Sequence, residues 1–306
     1  MRIVRNPKKA GFKNTVVALG NFDGVHLGHA RILRAAASRA RKLKARSVAL
    51  TFDPHPQQFI RPERGLRLLT TLAERERLIK DAGVDDIYVI KFNRSLRAMS
   101  YERFVKKYLL NELDARVVFV GYDYAFGRDR VGDVSHLRKL GAKLGFAVKV
   151  VKPVSAHGAI IKSRVIRELI SAGRFNEALV LLGHCYVLGG RVVRGVGRGA
   201  KLGFPTANLS VDVHKLIPAP GVYAGTMEIK GELLKCVVNI GNRPTFPKDG
   251  GAVEVHVLDH TGSLRGRRLE VKMCARFRDE RQFSDVRELV LQIKADVRRA
   301  RREIKI

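Results

Sequence analysis

Tryptophan is absent from the sequence, and cysteine is held to three residues, Cys185, Cys236 and Cys274. They are scattered and form no C-x-x-C pair. This argues against a disulfide framework or a zinc site and predicts packing thiols in a reducing compartment. Long apolar runs are missing as well: none approaches the ~18 residues of a membrane-spanning helix. Behind the basic segment Met1–Lys9, the run Thr15–Leu19 is shorter than the ~7–15 residues of a signal-peptide core. The expectation is a cytoplasmic protein with no membrane partner. Acidic residues are few, 29 against 59 Lys and Arg, which leaves a formal charge of +30. Such an excess favours anionic partners. The cations are dispersed, densest at Arg298, Arg299, Arg301, Arg302 and Lys305, with no run of aromatics interleaved. Weak nonspecific adhesion to polyanions at low salt is expected; specific nucleic-acid recognition is not.

What is present suffices for two domains. The chain has 306 residues, 45% of them apolar, enough for each half to bury a core. In the first half, short apolar runs alternate with helical periodicity. Strands are predicted at 15–20, 47–52, 86–92, 116–120 and 147–151. Helices fall at 27–43, 72–82, 101–113 and 133–144, with two short ones at 163–172 and 175–182. Strands separated by helices imply a parallel sheet. Beyond Gly183 the pattern changes to consecutive strands at 186–193, 221–229, 233–240, 252–258 and 269–275, punctuated by Gly and Pro. This reads as an antiparallel barrel or sandwich, closed by a helix from Ser284 to about Arg302. The expected fold is α/β plus β, with domains 1–183 and 184–306.

The most informative stretch in the first half is Gly20–His29, G-N-F-D-G-V-H-L-G-H. It leaves the first strand and opens the first helix. In an open parallel sheet, ligands bind beyond the carboxyl ends of the strands, and a helix N-terminus there offers N–H groups to a phosphate. Gly20, Gly24 and Gly28 permit close backbone approach. His26 and His29, three residues apart, share a helical face and could stabilise charge building on a phosphate under attack. A metal pair or two structural histidines would show the same spacing, but no third ligand is evident and the glycine-rich turn points to phosphate.

This stretch resembles the H-x-G-H motif of the nucleotidyltransferase superfamily, in the wording of the prokaryotic bifunctional riboflavin kinase/FAD synthetases. Phe52-Asp53-Pro54-His55-Pro56 and Gly121–Gly127 (G-Y-D-Y-A-F-G) follow in that family's order. The resemblance implies a Rossmann-like nucleotidyltransferase fold. It implies that His26 and His29 contact ATP phosphates with Asn21 nearby, and that Asp123, Phe126 and the Pro54 loop shape a flavin or nucleotide pocket. Loop packing would explain Phe126 and the prolines equally well. Ser163 and Arg167 match a later ATP-binding segment of the family. Lys162 and Arg164 depart from it, standing where the family carries a serine and a threonine; two cations replace two hydroxyls that would bond phosphate oxygens.

In the second half, Gly189–Leu209 begins as a glycine-rich loop that fits neither phosphate-loop pattern, and by composition alone a hairpin connection would explain it. It ends in Gly203-Phe204-Pro205-Thr206-Ala207-Asn208, which resembles the riboflavin kinase signature. The resemblance implies ATP binding by Gly203, Pro205, Thr206 and Asn208, with Thr206 and Asn208 as oxygen ligands of Mg²⁺. Without it, Thr and Asn after Pro would read as a turn. In a strand, Glu254 and His256 point to one face and Val253, Val255 and Val257 to the other. The resemblance makes Glu254 the base for the ribityl 5′-hydroxyl, where a solvent-facing glutamate is the alternative. Arg278 belongs to a closing R-x-E-x-x-F segment and is implied in flavin binding. Ala200 stands where the family often has arginine.

The expected function is therefore ATP-dependent phosphorylation of riboflavin to FMN followed by adenylylation of FMN to FAD, with Mg²⁺ as cofactor. The alternatives are a kinase whose adenylylation site has decayed through Lys162 and Arg164, and a basic nucleic-acid-binding protein on the same scaffold.

Overall fold

The computed structural model describes residues 2–5, 11–156, 158–195, 197–241 and 253–306. By packing, the chain forms two compact units. One comprises residues 1–66 and 72–162; the other comprises 67–71 and 163–306.

The first unit is a six-stranded parallel sheet built from β1 (Arg2–Arg5), β2 (Thr15–Leu19), β3 (Arg46–Asp53), β4 (Asp86–Lys91), β5 (Ala115–Gly121) and β6 (Ala147–Val151). The order is β1-β4-β3-β2-β5-β6. The sequence reading lacked β1, whose short basic stretch carries little apolar signal. It is fixed by pairing to β4 and by the Arg2 N–H, which donates to Asp86 Oδ1 at 2.9 Å.

Alternate residues of each strand serve opposite faces. Val17, Leu19, Val48, Leu50, Val118 and Val120 pack on one side with Phe104, Tyr108, Leu109 and Leu137. Val16, Ala18, Ala49, Val117 and Phe119 pack on the other with Ile32, Leu33, Ala36 and Ala40. Helix α1 (Leu27–Lys42) thus lies on one face of the sheet. On the opposite face, the segment that starts as Tyr101–Phe104 continues with π-helical turns over Val105–Glu112. Helix α2 (Leu72–Asp81) precedes β4. The strand order reverses between β2 and β5, so the loops after β2, β3 and β5 leave neighbouring strand ends around the switch point.

The second unit is a closed antiparallel barrel, β10-β13-β12-β11-β14-β9. Its strands, in chain order after the hairpin β7–β8 (Ser155–Ala156 and Ala159–Ile160), are β9 (Tyr186–Val193), β10 (Ala207–Val211), β11 (Gly221–Ile229), β12 (Glu232–Ile240), β13 (Val253–Val257) and β14 (Arg268–Arg278). Strand β10 is not among the strands that periodicity predicts, because Thr206 and Asn208 after Pro205 carry turn propensity. Pairing to β9 and β13 overrides that propensity. The final helix, Val286–Glu303, covers Val222, Ala224 and Val237 through Val297, Ala300 and Ile304, so β11 is buried on both faces, unlike β13. Leu68 pairs with Lys215 and brings 67–71 into this unit, where Lys215 Nζ donates to the Leu69 carbonyl.

The cysteines correct the sequence reading. Cys185 and Cys274 are joined by a disulfide, and only Cys236 is a buried free thiol. The reason is register. Tyr186 pairs with Met273 across β9 and β14, so the next positions oppose each other with Cα atoms 4.7 Å apart. A separation of 89 residues gives no hint of this. Among the described residues, no helix is long and apolar enough to cross a membrane.

Candidate functional sites

The turn from β2 into α1 is tightly built. Phe22 and Val25 are buried with positive φ values of 52° and 38°, a conformation that side-chain-bearing residues adopt only under surrounding constraint. His26 caps α1, its Nδ1 accepting the His29 backbone N–H at 3.4 Å. The two imidazoles stack, with centroids 3.8 Å apart and planes 19° apart, and Phe22 meets the His29 ring edge-to-face. Gly28 packs closely under this stack: a Cβ there would lie 3.1 Å from His26 Cε1. His26 is buried while Asn21, Gly20, Gly28 and His29 are partly open and Gly24 is buried. An imidazole pair therefore stands at the helix N-terminus beside the switch point.

A buried polar chain supports this loop. Thr51 Oγ1, at the end of β3, donates to the Asn21 carbonyl at 3.0 Å. Arg75 Nη1 donates to Thr51 Oγ1 at 3.4 Å and to the Phe52 carbonyl at 3.2 Å. Burial pushes the Arg75 guanidinium below its ordinary pKa, opposed by the carboxylates of Asp23, Asp53, Glu76 and Glu74.

Pro54 is exposed in the loop after β3, in a cis Asp53–Pro54 peptide, and the adjacent His55 is buried. Asp123 is exposed in the loop after β5. Its Oδ2 lies 3.6 Å from Lys162 Nζ, and Tyr122 and Asp123 together hold the Lys162 ammonium above its ordinary pKa. Phe126 is buried among Tyr101, Phe104 and Tyr124, within the core of the sheet. Ser163 and Arg167 lie on the helix Ser163–Ser171, the first helix of the second unit, where Arg164 pairs with Glu168 at 3.4 Å.

In the barrel, Asn208 pairs with Glu254 across β10 and β13, and Glu254 pairs with Asn239 across β13 and β12. Directly opposed residues project on one face, so Asn208, Glu254 and Asn239 form a polar row while Val253 and Val255 are buried on the other side. The glycine loop closes over this row. A Cβ on Gly195 would stand 2.6 Å from Asn208 Cγ, and one on Gly199 would stand 3.3 Å from Thr206 Oγ1. His256 Nδ1 lies 2.9 Å from the Pro205 carbonyl, and its ring meets Phe204 edge-to-face. This fixes the strand entry that carries Gly203, Pro205 and Thr206. Arg278 is engaged elsewhere: its Nη2 donates to Asp296 Oδ2 at 2.7 Å and its Nη1 to the Asp279 carbonyl at 3.1 Å, tying β14 to the last helix.

A family model for FAD synthetase matches residues 8–165, and one for riboflavin kinase matches 182–304. The chain is 38% identical over 290 residues to the bifunctional riboflavin kinase/FMN adenylyltransferase of Pseudomonas fluorescens, covering 94% of this chain and 93% of that one. It is 33% identical over 302 residues to the Escherichia coli K12 protein of the same name, covering 98% and 96%. The chain belongs to the bifunctional riboflavin kinase/FMN adenylyltransferase family. Its fold also matches a crystal structure described as a macrolide-efflux protein from Streptococcus pneumoniae, with 32% identity, a TM-score of 0.89 and 99% coverage of both chains.

Sequence reasoning missed Thr51 and Arg75. Thr51 sits in a strand that reads as a plain core segment. Glu74, Arg75 and Glu76 are three charged residues of a helix, yet all three are buried. Asn239 opens a further stretch, Asn239–Thr245, that resembles the family; its residues 242–245, and Ala252 at the predicted start of β13, lie outside the described residues.

Proposed function

We propose that the barrel transfers the γ-phosphoryl group of ATP to riboflavin and that the parallel-sheet unit transfers AMP from ATP to the resulting FMN, releasing pyrophosphate and giving FAD. The functional boundary is placed at 183/184, with residues 1–183 serving adenylylation and 184–306 serving the kinase. Two observations support this reading: the imidazole stack at the switch point, and the Asn208–Glu254 pair beside the glycine loop.

In the kinase, Glu254 accepts the proton of the 5′-hydroxyl, and Thr206 and Asn208 hold Mg²⁺ and the ATP phosphates alongside Gly203 and Pro205. The donor set suits a hard cation: the Thr206 hydroxyl and the Asn208 amide oxygen, at and just before the start of β10, with the remaining positions left to phosphate and water. Bound there, Mg²⁺ supplies charge neutralisation to the phosphates.

In the adenylyltransferase, His26 and His29 receive the negative charge that grows on the α-phosphate, with Asn21, Gly20, Gly24 and Gly28 lining the phosphate path and Ser163 and Arg167 serving ATP. Asp123 and the Pro54 loop border the flavin. Phe126 supports that loop from the core, and Arg278 supports the end of β14 through Asp296. The reaction is assigned to the cytoplasm. A kinase-only reading is not favoured, because the FAD synthetase match spans the whole first unit apart from its first residues.

The test is a chromatographic time course with riboflavin, excess ATP and Mg²⁺. The wild-type chain should form FMN and convert it to FAD. Glu254→Gln should lower FMN formation by about 10²–10⁴-fold, as expected for a lost general base, while still making FAD from supplied FMN. His29→Ala should show the reverse. Loss of both activities in either variant, FMN formation from riboflavin and FAD formation from supplied FMN, would refute the division of labour.

A further inference from the structure

We propose that Arg75 is a positioning residue for FMN adenylylation, acting through Thr51 to hold the loops that leave β2 and β3; this rests on the adenylylation reading above. Three observations carry it. Arg75 is 1% exposed, and a charged side chain is rarely buried without a task. Its guanidinium bonds two acceptors on β3, Thr51 Oγ1 and the Phe52 carbonyl, and Thr51 passes the contact on to the carbonyl of Asn21. The two loops so tied are the ones that carry Asn21 to His29 on one side and Asp53 to His55 on the other. Asp23, also 1% exposed, and Asp53 act electrostatically on the same cation from those loops.

Both bonds leave one nitrogen, Nη1, which must be held at a fixed point beside the end of β3. An arginine reaches that point through a stiff planar group, whereas a lysine is one bond shorter and ends in a point charge on a flexible stem. Small displacements of a catalytic loop are costly in rate, since effective catalysis depends on alignment to a fraction of an ångström. Arg75 itself touches no substrate; it keeps the backbone of Asn21 and the stacked imidazoles that follow at a fixed height above the strand ends.

The kinase gives an internal control in the same chain. Wild type, Arg75→Lys, Thr51→Val and the double variant are assayed for FAD formation from FMN, for FMN formation from riboflavin, and for thermal unfolding. Arg75→Lys keeps the charge and loses the reach that places Nη1 against Thr51 and Phe52. Thr51→Val keeps the shape of a fully buried residue and loses the relay. Each should lower kcat for FAD formation by about tenfold, and kinase kcat and KM should stay within about twofold of wild type. The double variant should be no worse than Arg75→Lys, because both act on one chain of contacts. Thr51→Val with wild-type FAD formation overturns the inference, and decides the matter alone should Arg75→Lys unfold. Additive losses, or equal losses in both activities, overturn it as well. A wild-type chain that makes FMN but no FAD refutes the adenylylation reading itself, a different failure.

Discussion

Asn208 and Glu254 stand directly opposite each other on β10 and β13, on the same face, with Gly195 pressed against the Asn208 amide. The glycine is a steric requirement of the pair. Gly195→Ala should displace the amide and lower kcat/KM for riboflavin phosphorylation by at least about tenfold, as misplacement of a positioned group does. FAD formation from supplied FMN should be unchanged. Steady-state assays of the two steps check this; normal kinase activity in the Gly195→Ala variant would show that the loop moves aside at no cost.

Lys162 and Arg164 are each taken up by a carboxylate of their own chain, Asp123 and Glu168. Neither cation supplies the hydroxyl that the family carries at its position. Restoring the hydroxyls in a Lys162→Ser/Arg164→Thr variant should raise kcat/KM for adenylylation about tenfold, the worth of one hydrogen bond to a charged group. Both ion pairs are solvent-exposed, so the melting temperature should hardly move. A fall in FAD formation would mean that the cations have taken over the hydroxyls' task.

The Cys185–Cys274 bond closes a loop of about ninety residues. Chain-entropy arguments give such a link about 4.6 kcal/mol. Reduction should lower the denaturant midpoint of the barrel unit correspondingly. Alkylation under denaturing conditions should label Cys236 alone before reduction and all three cysteines after it, as read by intact mass. Native protein should resist labelling at Cys236, whose burial pushes its thiol pKa up to about 12. Labelling of all three without reductant would show that the bond does not form.

Burial raises the Asp86 carboxyl, but hydrogen bonds from Arg46 and the Arg2 backbone N–H overcome that and hold its pKa below the ordinary value. A depressed folded-state pKa contributes stability above the unfolded-state value of about 4, lost as pH falls through the folded-state value. Asp86→Asn should therefore be less stable than wild type at neutral pH and lose less on acidification below about pH 4. Urea unfolding across pH 2–7 tests this. Parallel curves for the two proteins would remove Asp86 from the acid response.

Much of this was legible in the sequence. Periodicity gave the alternation of strands and helices, because apolar faces must repeat at 2 or 3.6 residues whatever the fold. The segments Gly20–His29 and Gly203–Asn208 announced themselves because phosphate and metal chemistry needs particular residue types close together in the chain. What escaped was long-range. The strand β10 was hidden by turn-forming residues, and β1 by its charge. The Cys185–Cys274 link and the Asn208–Glu254–Asn239 row exist through antiparallel register, which only the closed barrel specifies. Nothing in the helical periodicity of 72–82 marks Arg75 as buried, and only its contacts with the end of β3 make it an interior cation. The sequence by itself determined local chemistry and element type, since both depend on near neighbours; the tertiary structure alone decided which distant residues meet, since that depends on how strands pair and helices dock.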